Sequence, residues 1–259
     1  MKVERFAAPL GARITELDLR ADDDVAAVEQ LLAEHHVLVF PGQFLSRDEH
    51  VEFGRRFGEL IPFPYLAVDG YPEMVELRNR GAAHDINQHW HSDMSYEATP
   101  PKITMLSCRE APLLGGDTAF SNQHLAYEGL SDAFAGLLDG LTAVHSSQAV
   151  AELYRKDQAA PDVEHPVVRR HDDSGRPALY VCAAFTRRIV GWSRRESRAL
   201  LEFLFEHSVR PEYQARHRWA PGDLVMWDNR SVLHFAVHDH GDDARVIDRL
   251  TVRGEVPYG

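Results

Sequence analysis

Trp90-His91-Ser92-Asp93-Met94-Ser95-Tyr96 is the stretch on which the reading of this chain turns. Taken as a strand, it sends side chains two apart to one face, so His91 and Asp93 can grip one metal ion while Ser92 points away. Far downstream, His234 in the apolar run Ser231-Val232-Leu233-His234-Phe235-Ala236-Val237 would complete two imidazoles and one carboxylate. Such a set holds non-haem Fe(II) on one face and leaves the other coordination positions open. A polar loop precedes the motif, which places it at a strand-loop junction that small molecules can reach. His89 offers a rival set: on an unbroken strand it shares the face of His91, and His89, His91 and Asp93 would suit a zinc or copper site.

Outward from the motif, Arg245-Val246-Ile247-Asp248-Arg249-Leu250-Thr251-Val252 carries two arginines four apart. On a strand that even spacing puts both guanidiniums on one face, where planar forked donors can bind carboxylates. The competing reading makes this a solvated face, with Val246, Leu250 and Val252 buried and Asp248 the exception. Gly115-Gly116-Asp117-Thr118 predicts a turn with close backbone approach and a hydroxyl at its end. It does not match a phosphate-cradling loop, because no Gly-Lys-Ser/Thr follows.

The chain has 259 residues, 44% hydrophobic and 26% charged, which fits one globular domain spanning 1–259. A net charge of -12 repels phosphate backbones and anionic membranes, so neither nucleic acid nor membrane is an expected partner. The start Met1-Lys2-Val3-Glu4-Arg5 has no apolar signal segment, and the expectation is a soluble cytoplasmic protein, most simply a homo-oligomer with a small-molecule substrate. Cys108 and Cys182 each sit in an apolar run and read as buried structural thiols.

Val25, Val28, Leu31 and Leu32 recur at helical spacing over Asp23 to His35, ahead of the short apolar run His36 to Phe40, which reads as a buried strand. Capping boxes at Ser46 and Ser193 predict helices to about Phe57, with Gly58 as the stop, and to His207. Further helices are expected over Ser121 to Leu130 and Ser131 to Leu138. Short β-like runs lie at Met74 to Leu77, Ile103 to Cys108, Val167 to Arg170, Ala178 to Cys182, Leu224 to Trp227 and Arg245 to Val252. The fold class is mainly β with flanking helices, a barrel or two-sheet jelly roll.

Phe57-Gly58-Glu59-Leu60, Trp90-His91-Ser92-Asp93, Gly115-Gly116-Asp117-Thr118, His165-Pro166-Val167-Val168-Arg169, Gly222-Asp223-Leu224-Val225-Met226-Trp227-Asp228-Asn229, His234, and Arg245 with Arg249 occur in this order through almost the whole chain. Together they resemble the taurine dioxygenase and 2,4-dichlorophenoxyacetate dioxygenase family of Fe(II)/2-oxoglutarate-dependent oxygenases. The resemblance implies a double-stranded β-helix core, Fe(II) held by His91, Asp93 and His234, and 2-oxoglutarate whose distal carboxylate meets Arg245 and Thr118. It implies that O2 is the other cosubstrate, that succinate and CO2 are released, and that a C–H bond is hydroxylated, with fragmentation or desaturation as further outcomes. It also places Arg249 near the substrate's anionic group.

Phe63 stands where taurine enzymes carry a sulfonate-contacting histidine, which weighs against taurine. A phenyl ring gives a sulfonate no hydrogen-bond donor and prefers an apolar or aromatic group. Asn87 and Phe185 match pocket residues of the family, and Tyr65, Tyr96 and His238 are further candidates. The expected substrate is a small organic anion with an apolar or aromatic part. Two other classes stay open on the sequence: a zinc-dependent metalloenzyme, and a non-catalytic β-barrel binding protein.

Overall fold

Strand Val37–Phe40 has no exposed residue, and its alternate side chains go to different cores. Leu38 and Phe40 pack with Val28, Leu32, Val51, Phe53 and Phe57, whereas Val37 and Val39 pack with Phe120, Trp227 and Val232. A strand covered on both faces must read as an unbroken apolar run, and this one does. The computed structural model describes residues 1–21, 25–63, 66–79, 88–154 and 159–259, and builds a mainly β architecture with flanking helices around this strand.

Among the described residues, one sheet has eight strands in the spatial order Lys2–Arg5, Ala12–Thr15, Val37–Phe40, Leu224–Asp228, Pro101–Glu110, Arg245–Arg253, Tyr71–Asn79 and Ala67–Val68. Its neighbours are antiparallel except for Ala12–Thr15 with Val37–Phe40. One core lies between this sheet and the helices Val25–His35 and Arg47–Arg55. A second core joins its opposite face to a smaller sheet of Gln214–His217, Thr118–Asn122 and Val232–Ala236. A third apolar cluster links helix Arg194–His207 to Ala143 and Ile189 in the sheet Thr186–Ile189, Thr142–His145, Val163–Pro166.

Both capping boxes form, at Ser46 with Glu49 and at Ser193 with Glu196. The first helix stops at Arg55, two residues earlier than expected, and the chain turns on to Gly58 at φ 138°. The helix expected from Ser121 begins only at Gln123, with Asn122 as its N-cap. Ser121 belongs instead to a central strand paired with Gln214 on one side and Leu233 on the other, so tertiary pairing outweighs its local helix signal. The run expected over Ala178 to Cys182 is strand only over Pro177–Leu179, and that expected from Val167 begins at Val168. Asp23 lies outside the described residues, and the helix is seen from Val25. Cys108 and Cys182 are free and buried.

Asp248, the exception in its strand, is fully buried on the helix side of the large sheet. Arg47 from the capped helix meets both its oxygens at 3.1 Å, and Arg109 donates to it at 2.8 Å. Arg109 reaches it through a register shift: Glu110 pairs with Val246 and Cys108 with Ile247, leaving Arg109 as the extra residue. Both faces of the Arg245–Arg253 strand are therefore largely covered, and the solvated-face reading fails because each face meets a different layer. No helix among the described residues is long and apolar enough to cross a membrane.

Burial pushes the His36 and His50 imidazoles down to about 3, and neither ring nitrogen of His50 has a hydrogen-bond partner among the described residues. The unfolded chain takes up these protons near pH 6.5, whereas the fold excludes them until about pH 3. Stability from keeping them neutral is thus full above pH 6.5 and falls as the pH drops toward 3. The unfolding free energy from urea titration should decline from pH 7 to 5, by about 2 kcal/mol for each such histidine. His50→Leu should flatten that decline, and an unaltered slope would assign the loss to other groups.

Candidate active site

The two sheets that enclose the second core present the site. In the small sheet His234 pairs with Phe120 and Ala236 with Thr118; Phe120 is in the core between the sheets, so the alternation of side chains turns His234 and Thr118 there too. In the large sheet Ile247 points into the same core, and Arg245 and Arg249 lie two residues to either side of it. One gap thereby receives a histidine and a threonine from one sheet and two arginines from the other.

His91 and Asp93 reach the gap by a route the strand reading did not foresee. His91 forms a single antiparallel bridge with His234: its N–H donates to His234 O at 3.1 Å, and its carbonyl oxygen accepts from His234 N–H at 2.8 Å. From Asp93 the chain is a turn, with Met94 at φ 47°. Extended pairing ends here because Ser92 Oγ bonds Asn229 O at 2.8 Å and Asp93 N meets Asn229 Oδ1 at 3.4 Å. A turn, not the pleat of a continuous strand, aims Asp93 beside His91.

His91 Nε2 and His234 Nε2 lie 3.7 and 3.8 Å from Asp93 Oδ1, and one ligand atom from each residue falls within a 4.8 Å cluster. His91 Nδ1 contacts His89 O at 2.7 Å, which directs Nε2 at the cluster. The His89 side chain is exposed, so this residue contributes a carbonyl and not a third imidazole. Asp93 Oδ2 accepts from Thr104 Oγ1 at 2.6 Å, and that hydroxyl accepts from Asn229 Nδ2 at 2.8 Å. Asn229 Oδ1 is held by Trp227 Nε1 at 2.9 Å. The chain of bonds occupies one carboxylate oxygen and leaves Oδ1 facing the two imidazoles.

Burial by itself would raise the Asp93 carboxyl, but the positive charge of Arg249, 3.4 Å from Oδ1, and the neighbouring imidazoles hold it well below the usual carboxylate range. Burial and the adjacent His91 keep His234 neutral, so the lasting cation beside Asp93 is Arg249. A carboxylate and neutral imidazole nitrogens are the protonation states that metal binding requires, and the donor set fits Fe(II).

Below the cluster, a cavity lined by Asp93, His234, Leu106 and Thr118 is bounded by Arg245. Arg245 donates through Nε to Gly116 O at 2.8 Å and through Nη2 to Thr118 Oγ1 at 3.3 Å. Trp219 Nε1 also donates to Thr118 Oγ1, at 3.0 Å. With both lone pairs engaged, the Thr118 hydroxyl is left as a donor, suited to an anionic oxygen. Burial lowers Arg245 to about 10, so it remains a cation at neutral pH. The expected turn forms, with Gly115 and Gly116 at φ 79° and 68°; a Cβ on Gly115 would meet Asp239 Oδ1 at 2.6 Å.

On the other side of the cluster, Phe63, Tyr96, Tyr154, Phe185 and Arg249, with aliphatic side chains between them, line a cavity that His91 and Asp93 also face. The Arg249 guanidinium sits 5.3 Å from the Phe63 ring centroid. Phe185 meets His91 and Tyr96 edge-on, at 6.0 and 4.9 Å between centroids. Tyr65 and Asn87 lie outside the described residues.

Residues 2–251 match the profile described as "Taurine catabolism dioxygenase TauD, TfdA family". The chain belongs to this family. TauD/TfdA enzymes are dioxygenases that use Fe(II), 2-oxoglutarate and O2. The α-ketoglutarate-dependent sulfate ester dioxygenase of Pseudomonas putida is 36% identical, with 100% of this chain and 91% of that protein covered. The α-ketoglutarate-dependent 2,4-dichlorophenoxyacetate dioxygenase of Cupriavidus pinatubonensis is also 36% identical, over 86% of this chain and 87% of its own. A taurine dioxygenase crystal structure from Burkholderia xenovorans superposes with a TM-score of 0.89 at 36% identity, covering 100% of this chain and 92% of that one.

Thr104, Trp219 and Tyr154 escaped the sequence reading. Thr104 left one trace, a lone hydroxyl inside the apolar run Ile103 to Cys108; Trp219 and Tyr154 left none, since only folding brings them to the site. Thr104→Val should weaken Mn(II) binding by roughly 10- to 100-fold by freeing Asp93 Oδ2, and Thr104→Ser should restore it. Equal affinity of the valine variant in a metal titration would count against the Thr104 bond.

Proposed function

We propose that this chain is a single-domain, Fe(II)- and 2-oxoglutarate-dependent dioxygenase, spanning 1–259 with a jelly-roll core, that hydroxylates a small organic anion with an apolar or aromatic part. The observation that carries this reading is the placement of Arg249, which touches Asp93 and the Phe63 ring at once. A cation so placed presents an anionic group beside the metal ligands, with an aromatic wall for the rest of the molecule. The sulfate ester and dichlorophenoxyacetate enzymes are named for substrates of this general kind. A cytoplasmic homo-oligomer that engages neither nucleic acid nor membranes completes the proposal, consistent with the net charge of -12.

His91, Asp93 and His234 would hold Fe(II), leaving positions open toward both cavities. Bound Fe(II), with 2-oxoglutarate and O2, supplies the oxidation: the cosubstrate leaves as succinate and CO2, and the substrate C–H bond becomes C–OH. Thr104 fixes the Asp93 carboxylate by its outer oxygen. Arg245 and Thr118 bind the distal carboxylate of 2-oxoglutarate with a forked cation and a hydroxyl donor. Arg249 orients the substrate's anion, and Phe63 and Phe185 exclude water around its apolar part. Tyr96 and Tyr154 wall the same space, and Tyr65 and Asn87 remain proposed substrate contacts on sequence grounds.

Succinate release should be stimulated by alkyl sulfates, alkanesulfonates, aryloxyalkanoates or anionic amino-acid derivatives; stimulation by neutral or cationic compounds alone would sink the reading. The two arginines should separate in kinetics. Arg249→Gln should raise the KM for the substrate at least tenfold more than that for 2-oxoglutarate, and Arg245→Gln should do the reverse. A common effect of both variants on one KM would refute the division of roles.

A further inference from the structure

A side cavity opens off the metal-facing one and is the larger of the two. Phe63, Met94, Tyr96, Val150 and Tyr154 belong to the walls of both, so the spaces adjoin along an aromatic and aliphatic seam. Beyond the seam the side cavity is lined by Ile61, Pro62, Ala151 and Ala160, with Glu97 and Arg253 as its charged groups. These charges are not equivalent. Arg253 is paired with Glu59 at 3.0 Å, whereas the half-buried Glu97 carboxylate has no ion pair or side-chain hydrogen bond among the described residues. Burial raises the Glu97 pKa, and the Arg253 charge across the cavity offsets that rise only in part.

The side cavity is apolar for the larger part, and its one lining cation, Arg253, is already paired with Glu59, so the anionic group of a substrate is better served by Arg249 in the other cavity. The side cavity suits what is attached to that group. We infer that the side cavity is a tail subsite, in which the substrate's remote part, an uncharged chain or ring, lies along Phe63, Tyr96 and Val150 toward Ala151 and Ala160. Glu97 then acts as a specificity residue: its carboxylate, offset only in part by the more distant Arg253 charge, repels any tail that carries a second negative group. This inference rests on the reading of Arg249 as the anchor for the head group and adds the class of molecule attached there, an elongated monoanion.

Two homologous series test it, n-alkyl sulfates and n-alkanesulfonates of two to eight carbons, each with an ω-carboxy counterpart of the longest member. Affinity is read by calorimetry on protein loaded with Mn(II) and N-oxalylglycine, and kcat/KM by succinate release from the Fe(II) enzyme. Within a binding series, affinity should rise up to about fourfold per methylene while the tail fills the cavity. Ala151→Trp should flatten that rise, and Ala160→Trp, at an exposed position on the wall, should flatten it without the folding risk of a core change. The ω-carboxy tail should bind at least tenfold more weakly than the plain one, and Glu97→Gln should remove most of that penalty. Head groups that bind with no dependence on chain length, or with the same dependence in both tryptophan variants, would overturn the tail subsite and leave the Arg249 reading standing. An ω-carboxy penalty untouched by Glu97→Gln would overturn the role of Glu97. If no member of either series binds or stimulates succinate release, the head-group reading fails and the tail subsite falls with it.

Discussion

A carboxylate kept ionised in a buried gap between two sheets is the constraint around which this site is arranged. Asp93 is 3% exposed, and an unpaired charge at such a position would carry a heavy desolvation cost. The fold answers with a hydroxyl on one oxygen and a guanidinium beside the other. The hydroxyl is itself fixed by Asn229, and Asn229 by Trp227, so the orientation of one carboxylate reaches back into the strand Leu224–Asp228 at the middle of the large sheet. A bound divalent cation would complete this compensation, which makes metal binding and the local fold parts of one arrangement.

The same strand geometry separates the two arginines. Arg245 and Arg249 share a face and stand about 13 Å apart along the chain, at roughly 3.3 Å per residue. Arg245 is deeply buried behind Thr118 and Trp219, whereas Arg249 lies beside Asp93 under the aromatic cavity. One strand thus holds two cations at different depths, and His91, Asp93 and His234, the candidate metal ligands, fall between the two cavities. On its opposite face Asp248 fastens the strand to helix Arg47–Arg55 and to Arg109, so the arginines project from a backbone anchored from behind.

Much of this was legible where local chemistry dictates local structure. Both capping boxes, the buried strand Val37–Phe40, the turn at Gly115 and Gly116, and the same-face arginine pair follow from side-chain spacing and backbone preference, and each is present. Short strands such as Thr118–Asn122, Thr142–His145 and Gln214–His217 were not legible, because four or five residues give too few alternations to mark a period and their pairing partners are remote in sequence. Ser121 shows the conflict directly: its hydroxyl reads locally as a helix start, yet strands on both sides claim its backbone.

What the sequence by itself determined was the set of chemical groups: two histidines and an aspartate of metal-ligand type, two arginines on one strand face, and a phenylalanine in place of a hydrogen-bonding residue in the pocket. These depend on residue identity and on spacings of a few residues. Tertiary structure alone decided which oxygen of Asp93 faces the imidazoles, that His89 offers its carbonyl and not its ring, and that Thr104, Trp219 and Tyr154 belong to the site. Those choices arise where segments separated by tens to hundreds of residues meet across a packed gap. They are settled by which buried polar group must find a partner and which apolar walls close around it, and no single segment carries that information.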